Sequence, residues 1–204
     1  MSLKRRVAAH LPFRLTNAAI YRRSYFEQVD EAQRFLYSRL ADVLHEHWRP
    51  QSVIDVGCGT GFLLARLAEK GVAVQGIDGS RNAIKASPIR ERIRRWNLRR
   101  PLPELGRFDL VICTEVAEHL PAQTAPTLVS GLVRLSDRIL FTAATPGQTG
   151  RHHLNEQAHS YWEALFRERG FVRSGADETH LHKSIADIDQ APWIHANLMV
   201  YVRG

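Results

Sequence analysis

The chain has little cysteine. Cys58 and Cys113 are the only two in 204 residues, and neither has a Cys or His neighbour at zinc-type spacing. A disulfide framework and a zinc knot are therefore excluded, and free thiols in a reducing compartment are expected. No apolar run approaches the roughly 20 residues that a membrane-spanning helix needs. Repeats, low-complexity tracts and Pro/Gly-rich linkers are absent, so one main domain with a sizeable core is expected. Acids are missing ahead of Glu27, while Lys4, Arg5, Arg6, Arg14, Arg22 and Arg23 stand there. A cytoplasmic protein with a basic leading segment is the preferred reading. An organelle transit peptide or a membrane-surface helix shares that composition, and Val7-Ala8-Ala9 is too short for a secretory signal. The net charge of +7 and the pI near 9.9 suit an anionic partner, without choosing among nucleic acid, a phosphorylated substrate and a membrane surface.

What is present is organised around Val53-Ile54-Asp55-Val56-Gly57-Cys58-Gly59-Thr60-Gly61. Apolar residues around one aspartate predict a short buried strand. Glycines at alternate positions predict a tight turn, and Phe62 to Lys70 has helical periodicity that stops at Gly71. Strand, turn and helix make the first half of a nucleotide-binding βαβ unit. The spacing is Gly-x-Gly-x-Gly rather than the Gly-x-Gly-x-x-Gly of a dinucleotide site. Asp55, two residues ahead of the first glycine, suits a ligand with an amine or a positive charge better than one with phosphates. A second strand, Val72–Ile77, ends in Asp78, an acid placed for ribose hydroxyls. Gly79-Ser80 follows, with Ser80 as N-cap of the next helix.

These residues resemble the class I S-adenosylmethionine-dependent methyltransferases, whose first motif reads hydrophobic-Asp-hydrophobic-Gly-x-Gly-x-Gly and whose second strand ends in an acid. The resemblance covers residues 50–204. It implies an α/β three-layer sandwich with a seven-stranded, mostly parallel sheet and an antiparallel last strand, here placed at His195 to Val202. S-adenosyl-L-methionine is the implied cosubstrate and S-adenosyl-L-homocysteine the product. Carried over onto this chain, Gly57, Cys58, Gly59 and Gly61 admit the aminocarboxypropyl chain, Asp55 faces its amino group, and Asp78 with Gly79 holds the ribose. Asn97 and Leu98 frame adenine, with asparagine where many relatives have an acid, and Thr114 or Glu115 closes the opposite side. Residues 1–49 are expected to form a basic segment and a helical lid packed on the core. Its apolar face includes Phe26, Val29, Phe35, Leu36, Leu40, Val43 and Leu44. Tyr21 and Tyr25 are candidate lid residues, with a core or interface aromatic as the alternative and the preferred reading for Tyr25.

A second polar cluster, Thr114-Glu115-Val116-Ala117-Glu118-His119, follows the buried strand Arg107–Cys113 and so lands beside the glycine turn. Farther on, His153-Leu154-Asn155-Glu156-Gln157 and then Tyr161-Trp162 resemble a subgroup linked to sugar, polysaccharide or secondary-metabolite modification. Glu115, His119 and His153 are the catalytic candidates, the histidines as proton acceptors near neutral pH. His152 and His159 are expected at the surface. A magnesium site at Glu115, Glu118 and His119, completed by His153, is the alternative. The preferred reading has no metal, with Glu118 facing solvent or starting a helix. Ile89 to Arg100 sets six arginines around Trp96. A solvated sheet edge is preferred there over a nucleic-acid-binding stripe. The expected function is methyl transfer to oxygen or nitrogen of a small molecule, with a sugar or secondary metabolite leading. RNA methylation and a non-catalytic scaffold are the alternatives. The absence of Asn-Pro-Pro-Tyr or Asp-Pro-Pro-Tyr after the fourth strand weighs against base methylation.

Overall fold

A computed structural model describes residues 31–148, 150, 152–187 and 192–204. Helix α1 (Glu31–Trp48) opens this region. Leu36, Leu40, Val43 and Leu44 repeat at helical spacing and are buried against the sheet, while Phe35, expected on the same face, is 51% exposed. Phe35 directly precedes Leu36, so the helix turns it about 100° off the buried stripe. Phe26, Val29, Tyr21 and Tyr25 lie outside the described residues.

The chain then alternates strand and helix: β1 (Ser52–Val56), α2 (Phe62–Glu69), β2 (Ala73–Asp78), α3 (Arg81–Ala86), β3 (Ile93–Arg95), β4 (Leu110–Cys113), α4 (Ala125–Leu135) and β5 (Arg138–Phe141). Ser80 caps α3, its hydroxyl accepting from the Ala83 N–H at 3.2 Å. Then come α5 (His159–Arg167), β6 (Phe171–Arg173), α6 (Gly175–Ser184), α7 (Pro192–Asn197) and β7 (Met199–Arg203). The seven strands form one sheet in the order β3-β2-β1-β4-β5-β7-β6. The first five are mutually parallel, and β7 runs antiparallel between β5 and β6. This is the sheet expected, with β3 at its edge.

Alternation along the central strands sends side chains into two cores. Ile54, Val111, Ile139, Phe141 and Tyr201 pack beneath α4 and α5. Val53, Leu110, Ile112, Leu140 and Val200 pack beneath α1 and α2. The three layers follow directly. One local expectation fails. The last strand begins at Met199, because Pro192 opens α7 and takes His195 into that helix. Helix α6 was not anticipated, although Ser174-x-x-Asp177 carries its cap: Asp177 donates its N–H to Ser174 Oγ at 3.4 Å.

Candidate functional site

The strand order reverses between β1 and β4, so a crevice opens at their carboxyl ends, where ligands of open α/β sheets bind. Gly57, Gly59 and Gly61 form the turn there, all with positive φ. At Gly57 (φ 95°) a Cβ would stand 2.2 Å from a Val116 methyl, whereas at Gly59 (φ 55°) it would meet nothing among the described residues within 4 Å. The turn is thus closed on the Val116 side and open at Gly59. Its N–H groups point inward: Gly57 and Cys58 donate to the Ile77 carbonyl at 2.7 and 3.2 Å, and Gly61 to that of Cys58 at 2.8 Å. Gly59 donates to Asp78 Oδ2 at 2.8 Å. A phosphate cradle needs free N–H groups, and these are committed, in keeping with the spacing argument against a dinucleotide. Cys58 Sγ packs inward under Gly76, so its side chain supports the turn from behind.

Asp78 Oδ1 accepts from the Ser80 N–H at 2.6 Å, which leaves each carboxylate oxygen a further lone pair for ribose hydroxyls across Gly79. Burial raises the Asp78 pKa, and these backbone donors oppose the rise. Asp55 is 5% exposed. Burial, and then the Asp78 charge, push its carboxyl up to about 8. No Lys or Arg pairs with either acid among the described residues. Two adjacent, uncompensated carboxyls at an open turn favour a cationic ligand, the fit that the ammonium and sulfonium of S-adenosylmethionine require. Asn97 Oδ1 accepts the Arg99 N–H at 3.1 Å in a local turn after β3, which leaves that oxygen a further lone pair. Leu98 is buried in the core beside it.

At the end of β4, Thr114 is half-buried and Glu115 takes φ 57°. Thr142 holds that conformation from β5's carboxyl end. Its hydroxyl accepts the Glu115 N–H at 2.9 Å and donates to Glu115 Oε1 at 2.8 Å. Burial raises the Glu115 pKa, opposed by the Thr142 hydroxyl and the Asn197 amide. Glu118, expected to face solvent or start a helix, lies in a short 3₁₀ turn and is fully buried, and both its carboxyl oxygens are unpaired among the described residues. Its pKa is pushed well up, first by burial and then by Glu115. The reason for the difference is the short 3₁₀ turn Ala117–His119, which rolls Glu118 inward beneath the loop that follows β5. That loop is pinned by the Leu154 and Asn155 N–H groups, which donate to the Glu118 carbonyl at 2.7 and 3.0 Å.

His153 is 8% exposed, and its Nδ1 lies 3.2 Å from the Gln148 carbonyl and 3.1 Å from Glu156 Oε1. Both partners are acceptors, so Nδ1 carries a proton, and in the neutral ring Nε2 is the nitrogen with the lone pair. His119 Nδ1 faces the His152 carbonyl at 3.4 Å, with the same consequence. Burial and the neighbouring His153 lower the His119 pKa to about 4. At neutral pH His119 is therefore an uncharged lone-pair donor and a weak proton acceptor. Glu118, His119 and His153 offer ligand atoms all within 4.8 Å of one another. Glu115 is outside this group, which corrects the alternative set drawn from spacing. His152 is exposed as expected, but His159 is half-buried with an unpaired Nε2. Thr142, Gln148, Asn155, Glu156 and Asn197 belong to the site and were not singled out. The string His153 to Gln157 was the available signal for two of them.

Residues 25–174 match the family model of a methyltransferase domain. The magnesium-protoporphyrin O-methyltransferase of Synechocystis is 32% identical over 105 residues, 48% of this chain and 46% of that protein. A ubiquinone biosynthesis O-methyltransferase of Colwellia psychrerythraea is 28% identical over 139 residues, 64% of this chain and 52% of that protein. The chain thus spans about half the length of the curated relatives it matches. Among solved structures, the Synechocystis magnesium protoporphyrin IX methyltransferase with bound S-adenosylhomocysteine aligns with a TM-score of 0.65 at 18% identity, over 92% of this chain and 96% of that one. An S-adenosylmethionine-bound amino pentose methyltransferase of Micromonospora echinaspora aligns at 0.64 and 15%, over 91% and 97%. The chain belongs to the methyltransferase-domain family, the class I S-adenosylmethionine-dependent methyltransferases.

Proposed function

We propose that this methyltransferase-family chain transfers the sulfonium methyl of S-adenosylmethionine to an oxygen of a small hydroxylated molecule, a sugar or a secondary metabolite. The observation that carries the reading is the pair of buried Asp55 and half-buried Asp78, with no paired Lys or Arg among the described residues, at the open face of the glycine turn. Such a pair supports binding of a ligand that brings its own positive charge. The curated relatives are named as O-methyltransferases, which supports oxygen as the acceptor atom.

In this reaction an acceptor oxygen lone pair forms the new O–C bond as the C–S bond breaks. The C–S electron pair stays on sulfur, which becomes the neutral thioether of S-adenosylhomocysteine. The acceptor proton must leave. His153 Nε2 is proposed to take it, since the Glu156 and Gln148 contacts fix the tautomer that leaves this nitrogen unprotonated. Glu115, held by Thr142, lines the wall between that histidine and β5. Most of the acceleration comes from alignment, because the methyl is already activated.

A second reading has a specific observation in its favour. The Glu118, His119 and His153 group combines close ligand atoms with a buried carboxyl whose oxygens are unpaired. The set fits a divalent cation, which when bound would polarise an acceptor hydroxyl and lower its pKa. The test is radiolabelled methyl transfer to a panel of sugars and phenols, with chelator and with added magnesium, manganese or zinc. Transfer to none of the panel, by a protein that binds S-adenosylhomocysteine, would defeat the acceptor class. Chelator-resistant transfer would defeat the metal.

A further inference from the structure

Positive charge is concentrated in two stretches of the sequence, the leading segment ahead of Glu27 and a window within the described residues. Of 28 basic and 21 acidic residues, the window 81–100 holds eight and one, a net of +7 that equals the charge of the whole chain. The window comprises α3, a 3₁₀ turn (Arg90–Arg92), β3 and the turn after it. Strand β3 is the sheet edge, hydrogen-bonded on one side by β2, with Arg95 in register with Asp78. The strip therefore lies along the flank of the cofactor crevice.

Arg66, Arg107, Arg134 and Arg173 each pair with a carboxylate. Arg90, Arg92, Arg94, Arg95 and Arg100 are exposed and pair with none among the described residues. Two of them are ordered against an aromatic ring instead: the Arg94 and Arg100 guanidinium carbons stand 5.1 and 5.8 Å from the centre of half-buried Trp96. Like charges held together at an edge cost stability unless a counter-charge arrives.

The surroundings select the class of partner. The apolar residues of the strip, Ile89, Ile93 and Leu98, are buried in the core. Among the described residues the exposed large apolar side chains are Phe35, Val172 and Trp193, all elsewhere. A protein interface needs a desolvated apolar centre, and this strip has none. A phosphate backbone needs only aligned cations, and arginine forks with an adjacent tryptophan are the usual equipment of single-strand grooves. We infer that the β3 edge, from Arg90 to Arg100, binds the phosphate backbone of single-stranded nucleic acid beside the methyl-transfer crevice. This is a binding surface, and it stands whether or not the bound strand is ever the methyl acceptor.

The test is fluorescence anisotropy of a labelled uridine 15-mer with the full chain between 50 and 200 mM KCl. Binding is expected with a Kd of about 1–100 µM at the low end and a steep fall with salt. The triple variant Arg90→Gln/Arg92→Gln/Arg94→Gln is expected to weaken it at least tenfold and to flatten the log–log salt slope by about 2. A control triple, Arg107→Gln/Arg134→Gln/Arg167→Gln, removes the same charge elsewhere and should change the Kd less than twofold. Equal loss in the two triples would overturn the proposal, as would absence of binding at 50 mM KCl. So would stronger binding to a glutamate decamer or to phosphatidylglycerol vesicles. Calorimetry with S-adenosylhomocysteine on both triples separates this outcome from failure of the cofactor site, which neither variant should disturb.

Discussion

Glu156 Oε1 lies 3.1 Å from His153 Nδ1, and both side chains are more than nine-tenths buried. The carboxylate fixes which ring nitrogen of His153 is free. In Glu156→Leu that constraint falls to the Gln148 carbonyl alone, and the imidazole should divide between tautomers. Nitrogen-15 spectra of the histidines at pH 9 are expected to show the Nδ1–H form of His153 in the wild type and in Glu156→Gln, whose amide oxygen still accepts. A mixed spectrum is expected for Glu156→Leu, with methyl transfer about 10- to 100-fold slower. An unchanged spectrum would remove Glu156 from the account.

Gly57 and Gly59 should fail in different ways. Gly57→Ala drives a methyl into Val116, and the cost should be about 1–3 kcal/mol in urea unfolding. Gly59→Ala meets no atom of the described residues, so its stability loss should be limited to the backbone strain of about 1–2 kcal/mol, while its side chain occupies the ligand's space. The ratio of affinity loss to stability loss is therefore expected to be larger at Gly59.

Both thiols should be inert in the native state. Burial pushes Cys58 and Cys113 well above the usual thiol range, with Asp55 acting in the same direction on both. Iodoacetamide at pH 8 is expected to label neither until denaturant unfolds the protein. Rapid native labelling of Cys58 would show that the turn opens.

Asp55 makes stability depend on pH. Its folded-state pKa of about 8 lies above the ordinary carboxyl value, so the native state retains a proton that the unfolded chain releases. The stabilisation is complete below the unfolded value and is lost as pH rises through about 8. Urea midpoints of the ligand-free protein should therefore fall between pH 6 and 8.5, and Asp55→Asn should flatten that decline.

Much of this architecture could be read from the residues. The glycine turn, Asp55 and Asp78 announce themselves because strand, turn and acid sit within one continuous stretch. The parallel core strands are legible because they are apolar throughout. The pocket beyond β4 is different in kind. Glu118 reads as an acid that faces solvent or starts a helix, and only the tertiary path of the loop after β5 buries it against His119 and His153. Thr142 and Asn197 come from distant parts of the chain and reach Glu115 through sheet pairing, which no local pattern encodes.

The most direct measurement is titration calorimetry of S-adenosylhomocysteine at pH 7 in two buffers of different ionisation enthalpy. With Asp55 at about 8, the carboxyl is largely protonated before binding and must ionise to meet the ligand's ammonium. Release of about 0.9 proton per ligand is expected, absent in Asp55→Asn and absent for 5′-methylthioadenosine, which lacks the amino acid. Binding without proton release, or no binding by the folded protein, would contradict the assignment of Asp55 and Asp78 as the cosubstrate's counter-charge.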